Sequence, residues 1–219
     1  MDARAARALT RSQNKEYRRY CLSKSIERGD HRFAQHLIRT VDVRATYAGT
    51  TFLTLAARFG RVDMVRLLLP RSYPNFQCRC GCAYTALMEA SETPETIESR
   101  AVVELLLPHS DTRLVNGGGL TPLHLAVVMG NAAIVQLLLP FSDVNVRCGA
   151  GMTPIDLAAS GGFDNIVSIL AAAASIDEAL LTNALAWATH CKRTSTALLL
   201  FDLIERVASP LVSTSTTPA

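Results

Sequence analysis

Cys78, Cys80 and Cys82 form a C-x-C-x-C run, the densest set of potential metal ligands in the chain. Three thiolates on one hairpin could reach a soft ion such as zinc or copper(I). Alternation along a strand, however, puts them on one face but spaced apart. Zinc sites normally use C-x2-C turns, and a fourth ligand is missing. The run therefore reads as thiols without a metal. Nucleophilic catalysis would need a nucleophile beside a base. The histidines are His31, His36, His109, His124 and His190. His31 and His36 sit in a basic stretch, His109 follows a proline, and His190 neighbours Cys191 between two apolar segments. No nucleophile elbow and no H-E-x-x-H helix occurs. Gly117-Gly118-Gly119 reads as a turn, because no G-K-[ST] follows it. The expectation is a non-enzymatic protein with no cofactor, no metal and no small-molecule substrate.

The elements that carry these residues belong to a folded chain. Its 219 residues are 49% hydrophobic and 19% charged, which excludes a disordered polymer. Aromatics are only 6%, so aliphatic side chains and alanine must build the core. The net charge of +3 is too small to imply nucleic acid, and it is unevenly placed. Residues 1–39 hold ten Arg or Lys against four Asp or Glu, and the remainder holds twelve against fifteen. Apart from Tyr17 and Tyr20, that basic end has little aromatic interleaving and no reading motif. It reads as a solvated face, and nucleic acid is not expected as a partner. No segment reaches the ~18–20 apolar residues of a membrane span. The Arg-rich start has no apolar centre, so no secretory signal is expected and the six cysteines read as free thiols in the cytoplasm.

Self-similarity organises the rest. Thr51-Phe52-Leu53, Thr85-Ala86-Leu87, Thr121-Pro122-Leu123 and Thr153-Pro154-Ile155 recur at intervals of 34, 36 and 32. Ala56, Ala90, Ala126 and Ala158 follow at a fixed offset. Val65–Leu69, Val103–Leu107 and Val135–Leu139 come next, with a weaker copy at Ile166–Leu170. Pro70, Pro108 and Pro140 close three of the copies. In the best unit Thr121 can cap a helix with Pro122 at its first position. Gly130-Asn131 breaks that helix, and a second runs from about Ala132 to Leu139. Neither exceeds three turns, and helices shorter than ~12–15 residues are marginal alone. Their stability must come from stacking on neighbours, at roughly 1.5–3 kcal/mol for each buried Leu, Val or Ile.

Gly119-Leu120-Thr121-Pro122-Leu123-His124-Leu125-Ala126 resembles the G-x-T-P-L-H-x-A signature of the ankyrin repeat family, and Gly151–Ala158 is nearly as close. The resemblance implies an all-α fold, an ankyrin-repeat α-solenoid of stacked helix pairs with β-hairpin-like finger loops. It places a basic, flexible end at 1–17 and a repeat domain at 18–208. Within that domain lie a cap at 18–40, full repeats at about 41–74, 75–110, 111–142 and 143–174, and a degenerate closing pair at 175–208. Ser175 and Glu178 suggest a capping box for that pair. Residues 209–219 read as a disordered tail. Leu22, Gly29, Phe33 and Leu37 match Leu53, Gly60, Met64 and Leu68 one repeat later.

Departures from the signature define expectations too. Thr54, Met88 and Asp156 stand where the family has the histidine kept at His124, so those turns are expected to be less rigid. Ala83 replaces the finger glycine kept at Gly49, Gly119 and Gly151, so the second finger should be distorted. About four extra residues fall within Ser91–Arg100.

In the family, partners usually contact finger tips and the inner ends of first helices. Those positions are Tyr47, Thr50, Arg58 and Phe59, then Cys82, Tyr84 and Glu92 with Thr93. The later repeats contribute Leu120, Val128 and Met129, then Met152. Aromatic residues and Met favour interface centres, and Phe59 and Tyr84 are the sharpest candidates. The expected function is a monomeric module that binds another protein on this surface. The alternatives are a secreted effector of a bacterium, virus or parasite acting in a host cytoplasm, and an inhibitor or regulator of an enzyme.

Overall fold

The computed structural model describes residues 3–78, 81–172 and 177–208. The expected tail at 209–219 lies outside them, as do Cys80 and Ser175. The described residues form twelve α-helices and no strand beyond one isolated bridge. No helix among them is long and apolar enough to cross a membrane. The chain divides into two compact units, residues 1–122 and 123–219.

The first unit holds three helix pairs. They are α1 (Ala3–Arg28) with α2 (His31–Ile38), α3 (Phe52–Arg58) with α4 (Val62–Leu68), and α5 (Ala86–Ser91) with α6 (Ile97–Leu106). First helices stack on first helices, α1 on α3 and α3 on α5, and second helices on second helices, α2 on α4 and α4 on α6. The sequence repeat explains this layering. Leu53, Ala56, Leu87 and Ala90 recur on one face of the first helices. Val65, Leu68, Val103 and Leu106 recur on the second, and all are buried. Helices α4 and α6 each close in a short 3-10 turn with Pro70 or Pro108 inside it. Proline has no N–H to donate to another α-turn.

Three expectations need correction here. Residues 1–17 were expected to be a flexible end, but from Ala3 onward they belong to α1. That stretch is rich in Ala, Arg, Lys, Glu and Gln, all strong helix formers, and no Gly or Pro interrupts it before Gly29. Phe33 was aligned with the buried Met64, yet Phe33 is exposed, while Ala34, in register with the buried Val65, is buried. The insertion within Ser91–Arg100 is not all loop: residues 92–96 are not helical, but 97–100 extend the start of α6. Thr96 caps α6 by accepting from the Ser99 N–H at 3.0 Å, so α6 begins nearly a turn before its counterparts.

The second unit holds α7 (Pro122–Val128, opening at the boundary), α8 (Ala132–Leu138), α9 (Pro154–Gly161), α10 (Asp164–Ala171), α11 (Glu178–His190) and α12 (Thr194–Ala208). The pairing rule holds again, with α9 on α10, α11 on α12, α11 stacked on α9, and α10 on α8 and α12. The closing pair is therefore a real helix pair. Asp177, not Ser175, caps α11, accepting from the Leu180 N–H at 2.9 Å. Asp164 ties α12 to α10 by accepting hydrogen bonds from both Ser195 and Thr196.

The replacements for the signature histidine also brace their helices, but only locally. Thr54 Oγ1 lies 2.7 Å from Thr51 Oγ1, and Met88 Sδ accepts from the Thr85 N–H at 3.5 Å. Asp156 Oδ2 accepts from both the N–H and the hydroxyl of Thr153. His124 alone reaches the next finger, its Nε2 3.1 Å from the Val146 carbonyl. What the replacements lose is the cross-finger tie rather than the cap.

Candidate functional site

The first helices of two consecutive repeats end side by side in the first unit. Arg58 is the last residue of α3, and Glu89 lies in α5. In the equivalent position, four residues after the capping threonine, the other repeats carry Leu55, Leu125 and Leu157. Glu89 is only 6% exposed, so its carboxylate occupies a leucine site. A buried carboxylate is costly unless it is paired and hydrogen-bonded. Arg58 supplies the partner in a fork, Nε donating to Oε2 at 2.8 Å and Nη2 to Oε1 at 2.5 Å. This geometry is the strong bidentate form of an arginine–carboxylate pair.

Around that pair lies an open depression of about 450 Å3, lined by Arg58, Cys82, Tyr84, Glu89, Glu92, Thr93 and Pro94. Glu92 caps the C-terminus of α5, and Thr93 Oγ1 donates to the Ala90 carbonyl at 2.7 Å. Tyr84 enters from the finger. Burial first, and then its hydrogen bond to the Glu92 carboxylate, hold the Tyr84 hydroxyl above its ordinary pKa.

The finger that delivers Cys82 and Tyr84 is longer than its neighbours. It closes through the Cys78 N–H and the Tyr84 carbonyl, whereas the next two close between Asn116 and Leu120 and between Cys148 and Met152. Two more residues are thus enclosed. Ala83 does adopt the left-handed backbone of the glycine it replaces, with φ of 53°, and Gly81 adds a second such residue at 84°. The distortion expected from Ala83 is therefore a longer loop with two left-handed residues. The following finger rests on it. The Gly117 N–H donates to the Cys82 carbonyl at 2.9 Å, and a Cβ at Gly117 would lie 2.6 Å from the Gly81 carbonyl oxygen. Asn116 Oδ1 accepts from the N–H groups of Gly118 and Leu120, so these glycine amides build a turn.

The expectation for the cysteines needs correction too. Cys82 is disulfide-bonded, not a free thiol, and Cys78 Sγ lies 2.8 Å from Cys82 Sγ. A disulfide sulfur has no thiolate to offer a metal. Cys21, Cys148 and Cys191 are free.

Of the residues expected at a binding surface, the structure gathers Arg58, Cys82, Tyr84, Glu92 and Thr93 around one hollow. Phe59, at the C-cap of α3, is 42% exposed beside them. Tyr47 and Thr50 instead form the hairpin pair of the first finger, and the Tyr47 ring stacks on the buried Phe52 at 6.5 Å. Leu120 is half-buried at the base of the third finger. Val128 and Met129 are exposed at the end of α7, and Met152 closes the fourth finger, half-buried. Sequence reading missed Glu89, although the register against three leucines marks it.

A family model for ankyrin repeats in three copies matches the chain at residues 22–109, 71–148 and 87–184. No curated protein sequence matches the chain.

Proposed function

The chain belongs to the ankyrin repeat family, whose repeats generally mediate protein–protein interaction, and on that premise we propose that it is a non-enzymatic binding module. Its receptor surface is the hollow between the C-terminal ends of α3 and α5, with Phe59 on the rim. One observation carries this reading: a carboxylate stands where the other repeats carry leucine, paired with an arginine under a concave, half-exposed surface that also presents Tyr84 and Phe59. A stack does not need Tyr84 or Phe59 for its own cohesion, and aromatic and arginine residues are the side chains that dominate binding energy at interface centres.

The test is affinity capture from a cell lysate with the wild type and with Phe59→Ala and Tyr84→Ala. The proposal expects each variant to fold and to lose about 2 kcal/mol of affinity, roughly thirtyfold, for the captured protein. Identical capture by all three would remove the hollow from consideration. Inhibition of an enzyme, and action as an effector inside a host cell, both reduce to this same binding step. Neither is supported by an observation of its own.

A further inference from the structure

Resting on that reading, we infer that the hollow receives a basic side chain of the partner. The arginine or lysine head pairs with Glu92, and its aliphatic stem lies between Tyr84 and Pro94. The first argument is charge. The lining contains one cation, Arg58, and two carboxylates, Glu89 and Glu92. Both oxygens of Glu89 are engaged by Arg58, so Glu92, which accepts a neutral hydrogen bond from the Tyr84 hydroxyl, has no cation bonded to it. Glu92 enters no ion pair among the described residues. Glu95, exposed and next in sequence to the lining residue Pro94, adds a further carboxylate on that side.

The second argument is the backbone. The C-termini of α3 and α5 both end at this hollow, at Arg58 and Ser91. The last carbonyls of a helix carry partial negative charge and favour a cation. Arg58 already exploits the end of α3. The end of α5, where Glu92 is the capping residue, has no cation of its own.

The third argument concerns what other occupants would cost. A partner carboxylate would meet Glu92 at short range and find the Arg58 fork already taken. A purely apolar side chain would strip water from Glu92 without replacing its partner. A basic side chain satisfies the carboxylate, lays its methylenes on Pro94, and brings its charge to the Tyr84 ring, where a cation–π contact adds to the pairing. The equivalent positions in the other repeats are Arg58, Val128 and Ser160, so only this repeat offers a carboxylate there.

The test uses a library of short random linear peptides panned against the full-length protein. The peptides recovered should share one arginine or lysine. Replacing it with citrulline or norleucine should weaken binding about tenfold or more to the wild type, and much less to Glu92→Gln. Glu92 is exposed, so that variant keeps the fold. Recovered peptides without a shared basic residue, or ones that bind wild type and Glu92→Gln equally, overturn this inference. If those same peptides still lose affinity to Phe59→Ala or Tyr84→Ala, the hollow remains the binding surface. Peptides indifferent to all three substitutions, or no recovery above background, overturn the functional reading as well.

Discussion

Glu89 and Arg58 should answer mutation very differently, because only one of the two is buried. Glu89 is 6% exposed, and the Arg58 side chain is 49% exposed. Arg58→Met keeps the aliphatic stem but leaves a carboxylate sealed in a leucine site with neither oxygen bonded. Removing one partner of a buried pair costs about 3–5 kcal/mol. Half of Arg58 already faces water, which screens the attraction, so about 3 kcal/mol is the appropriate figure. Glu89→Leu does the reverse. It releases Arg58 into solvent, which hydrates it, and restores the residue found at positions 55, 125 and 157. Burial of that leucine contributes roughly 1.5–3 kcal/mol and offsets the lost pair, so this variant should be neutral or about 1 kcal/mol more stable. The double variant should match Glu89→Leu, giving a coupling energy of about 3 kcal/mol. Equilibrium urea unfolding followed by circular dichroism reads all three, from midpoints compared at constant slope. An Arg58→Met loss no larger than that of Glu89→Leu would refute the account of Glu89 as a buried acid that depends on its neighbour.

Two further predictions concern the second unit. Burial lowers the pKa of His124 below that of a free imidazole, while backbone hydrogen bonds at Met152 and Val146 partly oppose the shift. The unfolded chain therefore binds that proton more readily. Stability should be level above the unfolded value near 6.5 and fall as pH drops below it, by up to ~1.4 kcal/mol per unit until the folded pKa is passed. His124→Gln should flatten this slope in urea midpoints measured from neutral to mildly acidic pH, and an unchanged slope would contradict it. Lys192 is exposed and holds φ of 57° at the turn between α11 and α12, where Gly29, Gly60, Gly130 and Gly162 serve four of the other five pairs. Lys192→Gly should raise stability by about 1 kcal/mol, and a lowered urea midpoint would show that the turn is not strained.

What the sequence made legible was local. A capping threonine, a proline at the first helical turn, a breaking glycine and a closing proline each act within a few residues, so Thr153, Pro154, Gly162 and Pro140 announce the elements they bound. Register then places Leu53, Leu87 and Leu123 in the core before any coordinates. What stayed hidden depends on lateral stacking. Arg58 meets Glu89 only because α3 lies against α5, across 31 positions of chain. The extra length of the second finger shows only when its closing hydrogen bond is found at Cys78 rather than nearer the tip. The disulfide at Cys82 was hidden because adjacent cysteines suit either thiols or bridges, and spacing does not choose between them. The packing of Tyr47 was hidden for a similar reason. A finger-tip aromatic can point outward or pack inward, and here it stacks on Phe52.

Several departures from the repeat pattern fall together. The lengthened finger, the glutamate in a leucine site and the insertion before α6 all lie within residues 75–110, whereas a left-handed alanine also occurs at Ala48 of the first finger. Each of the three is unfavourable or neutral for the stack. A buried carboxylate must be neutralised, and a longer loop costs more entropy to close. A repeat protein has neighbours to spare, since nearest-neighbour packing on either side can hold one weak unit in place. Independent accidents would spread over four repeats. Gathered in one, and opening on a single hollow, they are what a local compromise of stability for recognition looks like, because sites that break local folding rules are where function is usually found. The same reasoning gives Val128 and Met129 less weight: they belong to the repeat that keeps the capping Thr121, Pro122 and the signature His124.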